Sequence, residues 1–423
     1  MLIALLPSLI VLWLFGGSLS GISVGTQAFT ARRFAEGKNQ DAGAVLFNAF
    51  AFALVAGVLF SGLGYLAMGG ILGGLIEHEG ARASANAYLK WRLLGITSMA
   101  ATFAFKAFFD GIGKTHIHLV SAVIMNAINI GLCMILIFGN ETLGVAKMGI
   151  EGAGIAGVIS TYVGLAIMMG YALMPEYRSK FTPFRLSHWS PELLKSILKL
   201  SIPGAVATIA VMTGFAMFAK IASKLDELHP VGVVSALCPG GDGEPVNMAA
   251  TTVIVGVLKL TFTACLAFGT ATATLVSQSL GEKDPEKASR FGWTSVKLGL
   301  VIFGVVGLTE AIFAEQLLGV VTKSDLVLEY ALTPMRIMGL CTPLIAVGMI
   351  LTQALFGAGD TKFVMVAELI LHFTCLVPLA YLLGVVLNYG LVGLWLSAVI
   401  YIAGLSVVMV LKFRGGGWKK IKL

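Results

Sequence analysis

The sequence predicts an all-α polytopic membrane protein made of two homologous helical lobes. Three observations carry this. The first is composition: the 423 residues are 57% hydrophobic and only 12% charged, with a mean hydropathy of +0.91. A soluble chain carries roughly 25% charge, so this one has too little charged surface to face water and must be covered largely by lipid. The second is a series of apolar runs, each near or above the roughly 20 residues a helix needs to cross a bilayer. The third is an internal repeat. Gly111, Gly113 and Thr115 in KAFFDGIGKTH match Gly357, Gly359 and Thr361 in QALFGAGDTK at an offset of 246 residues, and Thr26, Glu36 and Ala42 match Thr272, Glu282 and Ala288 at the same offset. Two anchors about 80 residues apart on one offset mark a duplication. A third pair, Gly149–Gly152 and Gly390–Gly393, is offset by 241 residues, so a small deletion intervenes.

Eleven spans are expected, at about 3–33, 43–70, 85–111, 116–139, 152–174, 194–222, 247–280, 288–313, 330–356, 362–387 and 392–413. Met1–Phe15 lacks the basic start of a signal peptide and its apolar run continues to about Ala31, so it reads as a retained span. Several runs exceed 25 residues, which implies tilt or extension past the bilayer. The connections alternate in charge. One set of loops, with the tail, holds 19 of the 29 Lys and Arg, and the opposite set holds four. The positive-inside rule then places the C-terminus in the cytoplasm, and eleven spans place Met1 outside. Both copies of each repeated motif fall on the cytoplasmic side, so the repeat is parallel, about an axis along the membrane normal.

The expected organisation is an N-terminal lobe at 1–174 with five spans, a cytoplasmic linker at 175–191 and a C-terminal lobe at 192–423 with six. The counterpart of Leu194–Ala222 would precede Met1, so either the start is internal or a helix has been lost. The linker, PEYRSKFTPFRLSHWSP, is basic and broken by prolines, and its Phe181, Phe184, Leu186 and Trp189 are expected along the membrane interface.

Composition also excludes several classes. The net charge of +7 belongs to cytoplasmic loops, not to a nucleic-acid surface. The five cysteines form no CxxC pair and read as small apolar fillers, with Cys238 a candidate free thiol. No GxxxxGK[ST] loop, HExxH or paired CxxC occurs, so neither ATP nor a metal is expected, no cofactor is implied, and the protein is not expected to be an enzyme.

The repeated pattern resembles the MATE (multidrug and toxic compound extrusion) transporters. The carrying stretches are Gly25–Gly37, Phe108–Thr115, Asn126–Gly139, Leu200–Gly204, Gly269–Ala288 and Gln353–Lys362, and together they cover essentially the whole chain. The resemblance implies a twelve-helix fold of two six-helix lobes around a central cavity, of which this chain supplies eleven helices and lacks the first. It implies a plasma-membrane antiporter that exports organic, often cationic, compounds in exchange for H+ or Na+ by alternating access. Small organic substrates and the bilayer are then the expected partners, and a monomer the expected state. The family's coupling acid commonly sits on the first helix, which has no counterpart here. The family also often places Asp or Asn four residues after the Asn of the fourth span, where Asn129 is here followed by Cys133. A lipid-linked oligosaccharide flippase of related architecture is the alternative, and a degenerate, non-transporting homologue a further one.

Charged groups inside a bilayer are expensive and tend to be functional. Glu368 and His372, at i and i+4, share one face of the tenth span and could bind and release protons. Alternatively, Glu368 sits near the interface and His372 only packs. Asn126, Asn129, Gln27, Gln278 and Gln353 can line a substrate cavity or tie helices together. Lys259 lies well inside the seventh span and must pair with a carboxylate or snorkel, and Lys106 is expected to snorkel from near a helix end. Pro203, Pro343 and Pro378 interrupt spans. Of these, Pro203 and Pro343 are the candidate hinges, since a proline removes a backbone hydrogen bond. Met125, Met134, Met148, Met168 and Met169 could form an adaptable surface or pack between helices.

Overall fold

A computed structural model describes residue 8 and residues 11–75, 79–140, 144–228 and 246–423. The helices are α1 (Ile22–Ala35), α2 (Asn39–Leu75), α3 (Glu79–Arg92), α4 (Ile96–Gly111), α5 (His116–Phe138), α6 (Gly149–Leu173), α7 (Pro175–Phe181), α8 (Pro191–Leu228), α9 (Val246–Gly281), α10 (Pro285–Ile312), α11 (Ala314–Val321), α12 (Asp325–Ala358), α13 (Thr361–Ile370), α14 (Val377–Tyr381) and α15 (Gly390–Gly415). Among the described residues, ten helical stretches are long and apolar enough to cross a membrane, matching the last ten expected spans. The described part of the first expected span turns through a 3-10 segment, Gly17–Gly21, before α1. Cys238 lies outside the described residues. The other four cysteines are unbonded thiols.

The repeat is written into the backbone. Helix α1 ends at Ala35 and α9 at Gly281; α2 starts at Asn39 and α10 at Pro285, all on the 246-residue offset. The connecting turn places Gly37 (φ +76°) and Lys283 (φ +62°) in the left-handed region. In the other repeated motif Gly113 and Gly359 have φ of +76° and +89°. Gly149 and Gly390, on the 241-residue offset, both have φ of +57°. Such a φ crowds the Cβ of an ordinary residue, which is why glycine recurs at these helix junctions. Lys283 adopts it without that relief, beside Asp284, whose side chain accepts from the Lys287 amide and caps α10.

The chain divides into two compact units. The first is Met1–Val206 with Ser277–Lys283 and Leu423; the second is Ala207–Val276 with Asp284–Lys422. In the first, α1 to α4 close around Phe29, Leu89, Leu93 and Ile96, joined by Ile197 and Leu200 of α8. A second cluster there packs Phe105, Phe108 and Phe109 against Leu165, Met168, Tyr177 and Phe181. Met168 is thus a core residue, while Met134 is exposed.

The linker is built differently from expectation. Phe181 is buried edge-on against Phe108, and Phe184 sits against Phe50 and Phe105. Asn48 on α2 donates to the His188 carbonyl and accepts from the Ser190 amide, at 2.8 and 3.0 Å. Only Leu186 and Trp189 of the four aromatic and apolar linker residues are exposed. Phe181, at the end of α7, and Phe184, in the turn after it, point into the apolar surface of α2 and α4, while Leu186 and Trp189 flank the 3-10 turn beyond it.

Candidate functional site

Glu368 and His372 lie together in the second unit, and two residues that sequence spacing did not suggest complete the group. Glu368 is on α13 and His372 opens a π-helical segment, Leu371–Leu376. Pro378 explains the wide turn: it has no N–H, and its ring would strike the carbonyl one turn back in a regular helix. π turns recur at functional sites because they re-aim side chains. Glu368 is 6% exposed and His372 fully buried. Tyr401, on α15, donates its hydroxyl to Glu368 Oε2 at 2.8 Å, and its ring lies 4.5 Å from the imidazole, centroid to centroid. Gly214 of α8 closes the other side; a Cβ there would come within 2.5 Å of His372 Cδ2.

The hydrogen bonds determine the tautomer. His372 Nδ1 is 2.9 Å from the Glu368 backbone oxygen and 3.3 Å from its Oε2. A carbonyl only accepts, so Nδ1 carries the hydrogen. Nε2 is buried with no hydrogen-bond partner. Trp395 stands in the same region of α15, edge-on to Phe218 of α8 at 5.3 Å, and its indole N–H is likewise buried and unpartnered.

The other expected site residues are scattered. In the first unit, Asn129 donates to Ser160 Oγ at 3.0 Å and so ties α5 to α6, while Asn126 is exposed and donates to the Ala122 carbonyl. Gln278 donates to the Gly111 carbonyl at 2.8 Å, joining the end of α9 to the end of α4, and Gln27 is buried on α1. In the second unit, the stem of Gln353 packs against Gly269. Lys259 is exposed on α9 and forms no ion pair with any described residue. The Lys106 ammonium pairs with the buried Asp110 at 2.6 Å, one turn along α4 toward its end. Pro203 and Pro343 sit inside the continuous helices α8 and α12.

A third buried carboxyl, beside Glu368 and Asp110, was not anticipated. Glu310, near the end of α10, is 5% exposed and hydrogen-bonded to Thr261 of α9 and Thr342 of α12. The apolar run around Leu308 and Ile312 hid it: a lone Glu close to a span's end reads as an interfacial residue until its neighbours are known.

Comparison with known proteins gives one family. A family profile described as MatE matches residues 8–135 and 233–382. A probable multidrug resistance protein NorM of Thermotoga maritima is 27% identical over 418 residues, 97% of this chain and 84% of that protein. Another from Mannheimia succiniciproducens is 25% identical over 332 residues, 77% of this chain and 66% of that protein. A solved MOP superfamily transporter from Pyrococcus furiosus superposes with a TM-score of 0.84 at 21% identity, covering 98% of this chain and 89% of that one.

Proposed function

The chain belongs to the MatE family, and from that premise we propose that it is a multidrug-type exporter of organic compounds that exchanges them for protons, with Glu368, His372 and Tyr401 as the coupling group. The observation that carries the choice of site is the fully buried His372 whose Nε2 has no partner, set against the Glu368 carboxyl. The names of the NorM relatives support the multidrug reading. The charge alternation of the loops supports an orientation in the plasma membrane with the C-terminus cytoplasmic.

The chemistry follows from the group. With His372 neutral, Glu368 is held by the Tyr401 hydroxyl and the Nδ1 hydrogen. Protonation at Nε2 converts this into an ion pair wedged against Gly214, where no side chain cushions the imidazole. Charge then appears or disappears at a packed contact between α8 and the π turn of the tenth span. A packed contact responds to such a change by switching arrangement and not by gradual yielding. Proton binding would in this way bias one access state of the two lobes over the other.

The test is efflux of a fluorescent organic cation from everted vesicles, with proton and sodium gradients imposed separately. Export driven by the proton gradient, and lost in Glu368→Gln at unchanged protein level, is expected. Export that follows sodium alone, or that Glu368→Gln leaves intact, would discard the coupling group.

A further inference from the structure

We propose that Arg92 is the centre of a site in the first unit that binds the carboxylate of an organic compound. Arg92 closes α3 and lies within the span Arg82–Gly111. A guanidinium stays charged at any pH a cell meets, and a charge inside a span is costly unless something answers it. Among the described residues nothing of opposite charge does, for Arg92 forms no ion pair. The acids of α3 to α6 are engaged or remote. Glu151, the one acid of α6, accepts from Lys90 Nζ and from Trp91 Nε1, each at 2.7 Å. Asp110 of α4 pairs with Lys106, Glu79 stands at the opposite end of α3, and α5 has no Asp or Glu.

The guanidinium lies on Gly157 of α6. A Cβ there would come within 2.4 Å of Nη1 and 3.0 Å of Cδ and Cζ. The polar groups around Gly157 are donors or uncharged. Ser160 Oγ is 3.1 Å from the Gly157 carbonyl oxygen and accepts from Asn129 Nδ2 at 3.0 Å. An amide nitrogen has two hydrogens, so Asn129 keeps one beyond that bond. Cys133, one turn further along α5, lies within the electrostatic reach of Arg92. Arg92, Asn129 and Cys133 are half-buried, and the Arg92 Nε is buried without an acceptor. All of these residues belong to the first compact unit.

A fixed positive charge and unanswered N–H groups select an anion. Nε and one Nη of a guanidinium present two parallel N–H groups, which match the two oxygens of a carboxylate. A buried donor without an acceptor costs free energy that such a ligand recovers. The fold itself does not ask for the charge. Arg92 corresponds to the buried Met338 on the 246-residue offset, and Gly157 to the buried Ala398 on the 241-residue offset. The second copy thus fills the same places with apolar side chains, and the first sets a cation over a glycine that leaves room for it.

That the bound compound is cargo rests on the exporter reading, whereas binding does not. The experiment is fluorescence anisotropy on the full chain in phosphatidylcholine nanodiscs with two probes, dansylglycine, which carries a carboxylate, and dansylamide, which does not. Dansylglycine should bind at least about tenfold more tightly, the scale of a hydrogen-bonded charge. Arg92→Gln should erase the preference, and Arg92→Lys, which keeps the charge without the fork, should retain part of it. Cys133→Asp should erase it as well, because its carboxylate would occupy the guanidinium from within. Equal binding of the two probes, or a preference that survives Arg92→Gln, overturns the proposal. So does a preference that vanishes when phosphatidylglycerol replaces phosphatidylcholine, since the guanidinium would then serve a lipid phosphate. Should Arg92→Gln fail to fold, Cys133→Asp and Gly157→Ala decide, the second by pushing the guanidinium aside; a preference kept in both overturns it equally. Binding needs no gradient, so a chain that prefers dansylglycine but exports nothing would sink the exporter reading and leave this site standing.

Discussion

The two repeats share their helix ends and left-handed turns, yet the buried carboxyls differ: the first repeat pairs its buried Asp110 with Lys106, while the second holds Glu368 and Glu310 without a Lys or Arg partner among the described residues. Glu368 and His372 correspond to Ala122 and Asn126 on the 246-residue offset, and Tyr401 to Ser160 on the 241-residue offset. Asn126 even keeps the backbone contact, donating to the Ala122 carbonyl as His372 does to that of Glu368. What it lacks is a titrating ring and a carboxyl one turn back. Glu310 likewise corresponds to Gly64 on the 246-residue offset. The difference teaches that the duplicated scaffold is stable with apolar or amide side chains at these places. Substitutions that place the first copy's residues in the second should therefore cost transport before they cost folding.

The comparison can be broken most directly at Glu368. Glu368→Gln, which keeps shape and removes charge, is expected to lower proton-driven efflux by about tenfold or more, the scale on which a proton-transferring group is felt, with the melting temperature in detergent unchanged. Equal efflux would place the two copies on the same footing. His372→Asn installs the first copy's residue and keeps a donor toward the Glu368 carbonyl. It should reduce efflux by about threefold to fivefold and flatten its dependence on external pH, since an amide does not titrate near neutrality; an unaltered pH profile would count against the imidazole. Gly214→Ala sharpens the comparison from the other side. Its methyl would meet His372 within 2.5 Å, so overpacking of about 1–3 kcal/mol is expected, seen as a lower melting temperature. The smallest effects lie at the shared turn. Gly37→Ala should cost about 1 kcal/mol for a Cβ in the left-handed region, whereas Lys283→Gly should change stability by less than about 0.5 kcal/mol, because relief of strain offsets the added freedom of the unfolded chain. A larger loss at Lys283 would mean that its side chain, and not its backbone, holds the second turn.

Much of the fold was legible because lipid imposes it. Ten expected spans appear as helices, since a backbone in hydrocarbon must satisfy its own hydrogen bonds. The repeat was legible because its glycines answer to φ, a local property. The linker misled: Phe181 and Phe184 look like interface residues in a basic, proline-broken stretch, and only the apolar groove over Phe50, Phe105 and Phe108 turns them inward. The amides Asn129 and Gln278 left cavity and packing open until their partners, Ser160 and the Gly111 carbonyl, were visible.

Sequence by itself determined the membrane class, the helix spacing, the duplication and the placing of Glu368 and His372 on one helix face, because each depends on composition or on residues within one helical turn. The tertiary structure decided the rest. Tyr401 lies 33 residues from Glu368, and Glu310 lies 49 from Thr261 and 32 from Thr342. Which side chain meets which across packed helices depends on their rotation and depth, and hydropathy does not encode either. A carboxyl's chemistry is set by those meetings, so the same residue type is held by a phenol and an imidazole in one place and by two hydroxyls in the other.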